Sequence, residues 1–258
     1  MKKLSVIKIG GKVIDDQALL DQFLQDFAEL KGSKILVHGG GKIASDFGTR
    51  LGIEPKMNEG RRITDAETLE LVTMVYGGLV NKKIVSYLQA LGEDAIGLSG
   101  ADANVLKATK RPVKTIDYGF AGDITSDGVN KNRVSQFLES GLTPVICALT
   151  HDGKGSLLNT NADTLASVIS GALSSDYEVR LIYCFEQKGV LSDFENQTVI
   201  EAIDMIAYDS LKANGVISDG MIPKLDNAFA ALNAGVKNVR ILQFSDLNQA
   251  EAGTLIGT

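Results

Sequence analysis

At 258 residues the chain can bury a substantial core, and its net charge of −6 with no long Lys or Arg run excludes the many phosphate contacts of tight nucleic-acid binding. Apolar residues at 44% against charged residues at 22% exclude disorder, and no apolar stretch approaches the roughly 20 residues a membrane helix needs. The 2 cysteines, Cys147 and Cys184, form no CxxC pair and His38 and His151 are the 2 histidines, so a reducing compartment is expected and no metal ligands are assigned.

The opening MKKLSVIKIGGKVIDD is basic at its start, but Lys8 breaks the apolar stretch and no small-residue cleavage site follows. It reads as a first strand over Leu4–Ile9 rather than a signal peptide, so a cytoplasmic protein is expected. Leu20, Phe23, Leu24 and Phe27 predict a helix over Gln17–Leu30. A buried strand follows over Lys34–His38, then a helix over Lys42–Leu51. From Asp65, apolar residues recur three or four apart through Leu79, which predicts a long helix with Thr64 as its N-cap. Ala95–Leu98 reads as a strand, and Val105–Lys114 with Ile116–Ile124 as hairpin strands. A helix over Asn130–Ser140 leads to a strand over Thr143–Leu149. The last third continues with a helix over Asn161–Leu173, a strand over Val179–Phe185, helices over Ile200–Asn214 and Met221–Ala234, and a strand over Val239–Leu242. No repeat or linker interrupts this. Such β–α alternation predicts an α/β fold whose mainly parallel sheet is covered on both faces, with ligands at the carboxyl ends of the strands.

The 27 glycines cluster at those ends. In IKIGGK, Lys8 inside an apolar strand costs free energy unless its ammonium meets an anion or solvent, and Gly10–Gly11 lets backbone N–H groups approach phosphate oxygens. The plainer reading is a snorkelling lysine and a turn. In KILVHGGGKIASDF, three glycines between strand and helix form an anion-binding nest. Gly39, Gly41 and Ala44 also satisfy a dinucleotide fingerprint, but the acidic residue at roughly the required spacing, Glu59, lies in a polar stretch with no strand before it. No chemistry is assigned to His38. Neither a Walker A sequence nor protein-kinase signatures occur.

Three further segments carry candidates. In EGRRITD, Arg61 and Arg62 can grip a carboxylate or lie solvated on the surface. In LLNTNADTLAS, Asn161 suits a helix cap and Asp163 the first turn, which leaves Asn159 unexplained. In VISDGMIPKLDNA, Asp219–Gly220 precedes a helix whose first turns hold Lys224, a cation at the wrong end of the macrodipole by about 0.3–1 kcal/mol unless an anion sits there.

Taken together and in order, KIGGK, HGGGK, RRITD, GLSGADAN, YGFAGDI, LNTNAD, SDGMIPK and GTLIG resemble the amino acid kinase family and, within it, the acetylglutamate kinases. The resemblance covers nearly the whole chain. It implies one domain over residues 1–258, a three-layer α-β-α sandwich in two lobes. The lobe over about 1–174 would take the acylglutamate and dimerise, and the lobe over about 175–258 would take ATP with Mg²⁺. Lys8 and Lys224 match the lysines that stabilise the transferring phosphoryl group, and Asp163 the aspartate that orients them. Gly40, Gly41, Arg62 and Asn159 match substrate-binding positions, with Arg62 on the α-carboxylate. Gly10, Gly11, Glu186, Gly189, Asp219, Gly220 and Met221 fall to nucleotide and phosphate. The implied reaction is ATP-dependent phosphorylation of the side-chain carboxylate of an N-acyl-L-glutamate, acetyl by default and succinyl open, in arginine biosynthesis, by a homodimer. Phe185 and Glu186 stand where the family has a hydroxyl residue and Asp. The chain begins at strand one, without the extra helix of arginine-inhibited members, so that inhibition is not expected. Another carboxylate or carbamate kinase, a non-catalytic amino-acid sensor and a nicotinamide-dependent oxidoreductase are the alternatives.

Overall fold

Runs such as Ile35–Val37 and Val145–Cys147 show no alternation, as expected of strands covered on both faces. In the computed structural model, which describes residues 1–258 apart from Glu59, Ser218, Asp219 and Thr258, these runs lie in one eight-stranded sheet. Its strands are β1 (Lys2–Ile9), β2 (Ser33–His38), β3 (Ala95–Leu98), β4 (Thr143–Cys147), β5 (Tyr177–Phe185), β6 (Ala202–Ile203), β7 (Asn238–Gln243) and β8 (Thr254–Ile256). The order is β6-β8-β7-β5-β1-β2-β4-β3, parallel throughout except for the antiparallel β7–β8 pair. From β1 the chain builds toward β3 in its first half and toward β6 in its second. The order therefore reverses at β1, the place beside whose carboxyl end ligands bind in such sheets.

The helices are α1 (Gln17–Glu29), α2 (Gly41–Arg50), α3 (Ala66–Val72), α4 (Asn81–Ala90), α5 (Lys131–Glu139), α6 (Ala162–Leu173), α7 (Met205–Ala213) and α8 (Ile222–Asn233). Helix α1 packs on α4, α6 on α8, and α6 also lies against β1, β2 and β5. Neighbours Val6 and Ile7, whose side chains point to opposite faces, are both fully buried, so the central strands are covered on each side. No helix among the described residues is long and apolar enough to cross a membrane.

Five local expectations change. The N-cap before α3 is Asp65, whose side chain accepts from Thr68 N at 3.0 Å. Thr64 is instead pinned in extended form, its N–H bonded to Tyr118 O at 3.0 Å and its carbonyl accepting from Phe120 N at 2.7 Å. The long helix is continuous in direction but holds a π-helical stretch, Thr73–Val80, between α3 and α4. The helix expected over Ile200–Asn214 starts only at Met205, because Asp204 caps it and Ala202–Ile203 pairs with β8. Of the expected hairpin, only Thr109–Lys110 and Gly122–Asp123 pair, clipped by Arg111 on Asp123 at 2.6 Å. After Cys147 the chain also leaves the main sheet, and Leu149–His151 pairs with Leu157–Asn159.

Candidate active site

Lys8 is the penultimate residue of β1, so its side chain stands at the carboxyl end of the sheet. Asp163 stands in the first turn of α6, with Asn161 capping that helix through Thr164 N at 3.0 Å. Lys224 stands in the first turn of α8. These three side chains meet. Lys8 Nζ lies 2.7 Å from Asp163 Oδ1, and Lys224 Nζ donates to Asp163 Oδ2 at 2.9 Å. Each carboxylate oxygen of Asp163 thus faces one ammonium group. Side-chain exposures of 11% for Lys8, 11% for Asp163 and 21% for Lys224 make this a buried cluster.

The charge balance is the informative feature. Two ammonium groups share one carboxylate, which leaves a net positive charge where desolvation is costly. Burial alone would push the Asp163 carboxyl up, but the two lysines outweigh it and hold it at about 2. Burial lowers the Lys8 ammonium, Asp163 opposes this, and Lys224 adds to it. The lysine at the wrong end of α8 is thus answered in part by Asp163. Among the described residues the pairs leave one ammonium charge in excess of the carboxylate they share.

Two glycine loops stand near this cluster. Gly10 closes over the Lys8 ammonium so tightly that a Cβ there would meet Nζ at 2.7 Å. Gly11 follows with φ +57°, and Gly40 has φ +152°, conformations that favour glycine. Among the described residues, no acceptor takes the N–H of Gly11, Gly40 or Gly41. The two glycine loops belong to one place, because a Cβ at Gly39 would lie 3.9 Å from that of Ala162, the neighbour of Asp163.

Arg62 joins the second loop. Its Nη2 donates to Gly41 O and Ser45 Oγ, both at 2.8 Å, which docks the guanidinium on the first turn of α2. Asn159 is tied to the same strip, with Nδ2 donating to Thr64 Oγ1 at 3.0 Å. Tyr76 packs beneath: a Cβ on Gly40 would meet its ring at 3.1 Å. Sequence reasoning passed over Tyr76, and its only sequence signal is an aromatic residue beside Gly77–Gly78 in an otherwise aliphatic helix.

The nucleotide-side residues are less tightly gathered. The Glu186 carboxylate reaches Gly11, with Oε2 3.4 Å from where a Cβ would stand. Gly189 has a packing reason, since a Cβ would meet Thr254 Oγ1 at 2.8 Å and Val199 Cγ1 at 2.9 Å. Met221 precedes α8 and accepts from Lys224 N at 3.0 Å, and Gly220 is exposed just before it. Asp219, and Glu59 of the dinucleotide fingerprint, lie outside the described residues. A groove of about 530 Å³ lined by Ser5, Arg180 and Arg240 sits among the amino-terminal halves of their strands, away from this cluster.

Residues 3–243 match the Amino acid kinase family. The acetylglutamate kinase of Cytophaga hutchinsonii is 56% identical over 249 residues, covering 96% of this chain and 94% of that protein. The acetylglutamate kinase of Phocaeicola vulgatus is 52% identical over 256 residues, covering 99% and 98%. Among solved structures, smu.665 from Streptococcus mutans UA159 is 30% identical with a TM-score of 0.79 over 98% of both chains. Carbamate kinase from Giardia lamblia bound to AMP-PNP shares the fold at a TM-score of 0.70 and 13% identity, over 100% of this chain and 98% of that one.

Proposed function

This chain belongs to the amino acid kinase family and is one of its kinases, and from that premise we propose that it transfers the γ-phosphoryl group of ATP to the side-chain carboxylate of N-acetyl-L-glutamate. The observation that carries this is the pair of ammonium groups, Lys8 and Lys224, held by the single carboxylate of Asp163 beside two glycine loops with free N–H groups. A surplus positive charge with fixed backbone dipoles suits a migrating PO₃ unit.

The attacking carboxylate is ionised at neutral pH, so no general base is needed. One carboxylate oxygen forms a bond to the γ-phosphorus as the bond from that phosphorus to the bridging oxygen breaks. The electron pair leaves with ADP, and the product is an acyl phosphate. Catalysis reduces to in-line positioning and charge neutralisation. Lys8 and Lys224 neutralise the equatorial oxygens from two sides, Asp163 holds them apart, and the N–H groups of Gly11, Gly40 and Gly41 fix the phosphate and substrate oxygens. Arg62 takes the α-carboxylate, with Asn159 on the same strip. The described residues bring no three His, Cys, Asp or Glu side chains together as a metal cage. In this reading Mg²⁺ travels with the nucleotide, held largely by phosphates and water, and lowers the charge of the leaving group.

The reading also takes residues 1–174 as the acylglutamate lobe and pairing surface, and 175–258 as the nucleotide lobe. Glu186, Gly189, Gly220 and Met221 line the latter. A coupled ADP-release assay with N-acetyl-, N-succinyl- and free glutamate tests the assignment. Turnover fastest with the acetyl compound, with hydroxamate formed when hydroxylamine is present, is expected. Equal rates with free glutamate, or ADP release without hydroxamate, would sink it.

A further inference from the structure

His38 ends β2 directly before the glycine loop and is fully buried. Its two ring nitrogens are both engaged. Nε2 lies 3.0 Å from Asn81 Nδ2, and Nδ1 lies 2.8 Å from Gly39 O. An amide nitrogen only donates and a carbonyl only accepts. Nε2 must therefore be the acceptor and Nδ1 must carry the proton, which fixes one neutral tautomer. Burial favours the same state, since it lowers the imidazole pKa to about 4.

Asn81 is fixed in turn. Its Nδ2 also donates to Val145 O at 2.9 Å, and its Oδ1 accepts from Lys82 Nζ at 3.1 Å, a lysine that also reaches Gly97 O at 3.2 Å. Asn81 opens α4 immediately after the π-helical stretch, whose Tyr76 and Val80 press on Gly40. The helix thus grips the glycine loop from outside while its next residue sets the histidine behind it.

The consequence follows from the planar trans peptide. The carbonyl of Gly39 and the N–H of Gly40 belong to one peptide unit and point in opposite directions. A carbonyl held against the buried His38 turns the Gly40 N–H away from the core, and no described group accepts it. We propose that His38 is a positioning residue: it aims the Gly40 N–H into the cleft by holding the Gly39 carbonyl, with Asn81 setting its ring. The ligand it serves, an oxygen of the acylglutamate or of the phosphoryl group, rests on the function proposed above.

Asn and Gln imitate different halves of the ring. Asn places an amide near the Nδ1 position and can still donate to Gly39 O. Gln places its amide near Nε2 and leaves that carbonyl unheld. His38→Asn is expected to keep kcat/KM within about threefold of wild type, and His38→Gln to lose about 10- to 100-fold, the scale of a misplaced catalytic contact. Thermal unfolding of both variants would show similar stability losses, so stability alone does not separate them. In ¹⁵N-labelled full-length protein, the Gly40 amide resonance should move in His38→Gln and stay near its wild-type position in His38→Asn. Asn81→Ala, which frees the ring without touching the loop, should move the same resonance and serves if His38→Gln does not fold. Equal activity of the two His38 variants, or an unmoved Gly40 resonance in both His38→Gln and Asn81→Ala, overturns the proposal. A wild-type protein that turns over no acylglutamate refutes the functional reading instead, and the amide resonances still decide the role of His38.

Discussion

Two lysines are buried at opposite ends of the same sheet, and they solve the same problem in opposite ways. Lys34, 4% exposed, lies near the start of β2. Its ammonium donates to Phe27 O at 3.0 Å, Ala28 O at 3.0 Å and Leu30 O at 2.9 Å, and pairs with Glu93 Oε2 at 2.9 Å. An ammonium has three protons, so Lys34 is saturated: it caps the carboxyl end of α1 and its charge is cancelled. Lys8, 9% exposed at the other end of the sheet in β1, has no carbonyl partner among the described residues and shares the carboxylate of Asp163 with Lys224. A structural lysine finishes its bonds inside the protein. Lys8 shares its counter-charge with a second ammonium, which suits the phosphoryl role proposed for it.

The largest effect should come from breaking the saturated lysine. Lys34→Met leaves Glu93 without its cation and takes a donor from three helix-end carbonyls, of which Phe27 O keeps Leu30 N at 3.3 Å, and should cost roughly 3–5 kcal/mol of stability in denaturant unfolding, the scale for orphaning one member of a buried pair. Turnover, measured where the variant is still folded, should be close to wild type. A variant as stable as wild type would remove the contrast between the two sites. Lys8→Ala should do the reverse: kcat falls on the order of 10²–10³, about 2.7–4 kcal/mol, by analogy with deleting one transition-state donor. The protein should stay folded, since Asp163 keeps Lys224. Near-normal turnover in Lys8→Ala would unseat the proposed roles of both lysines.

This contrast marks how far the sequence could be read. The β–α alternation and the glycines at strand ends were legible because they are local. Asp163 was legible as a first-turn acid, but not as the hinge of two ion pairs 155 and 61 residues apart in sequence. Lys34 and Lys8 have the same sequence signature, a lysine within an apolar strand. The lysine of KILVH needs an anion or solvent as much as Lys8 does, and only the tertiary placement of α1 tells them apart. The Thr64 expectation failed for the same reason: its main-chain partners at Tyr118 and Phe120 are distant in sequence and hold it out of the helix. The π-helical turn left no signal, and His38 could not be assigned because its meaning depends on Asn81.

A subtler consequence separates Lys8 from an ordinary lysine. Burial lowers its pKa below the usual 10.5, and Lys224 reinforces the shift against Asp163. Activity that needs the cation is complete below this lowered value and declines as pH rises through it. The alkaline limb of kcat/KM, which reports the free enzyme, should therefore fall earlier than an unperturbed lysine would dictate. Lys8→Arg keeps its charge at every accessible pH, so its rate should be lower but its alkaline limb should shift upward. A limb unchanged between wild type and Lys8→Arg would mean that another group titrates there.

The smallest effect tests the glycine loop beside Lys8. The Glu186 carboxylate stands against Gly11, and a second carboxyl nearby registers the crowding: burial raises the Asp15 pKa, Asp46 and Glu186 raise it further, and Lys42 opposes them. In the proposed reaction the β- and γ-phosphates approach Gly11, so the charge of the half-buried Glu186 opposes them even though the residue lines the nucleotide lobe. Removing its charge by Glu186→Gln should lower KM for ATP about two- to fivefold, the range of a partly screened charge pair, with kcat little changed. The gain should shrink as salt is added, because screening weakens the wild-type repulsion. A rise in KM would mean that the carboxylate serves the nucleotide, through its ribose or its Mg²⁺, and that this residue binds what its charge would be expected to repel.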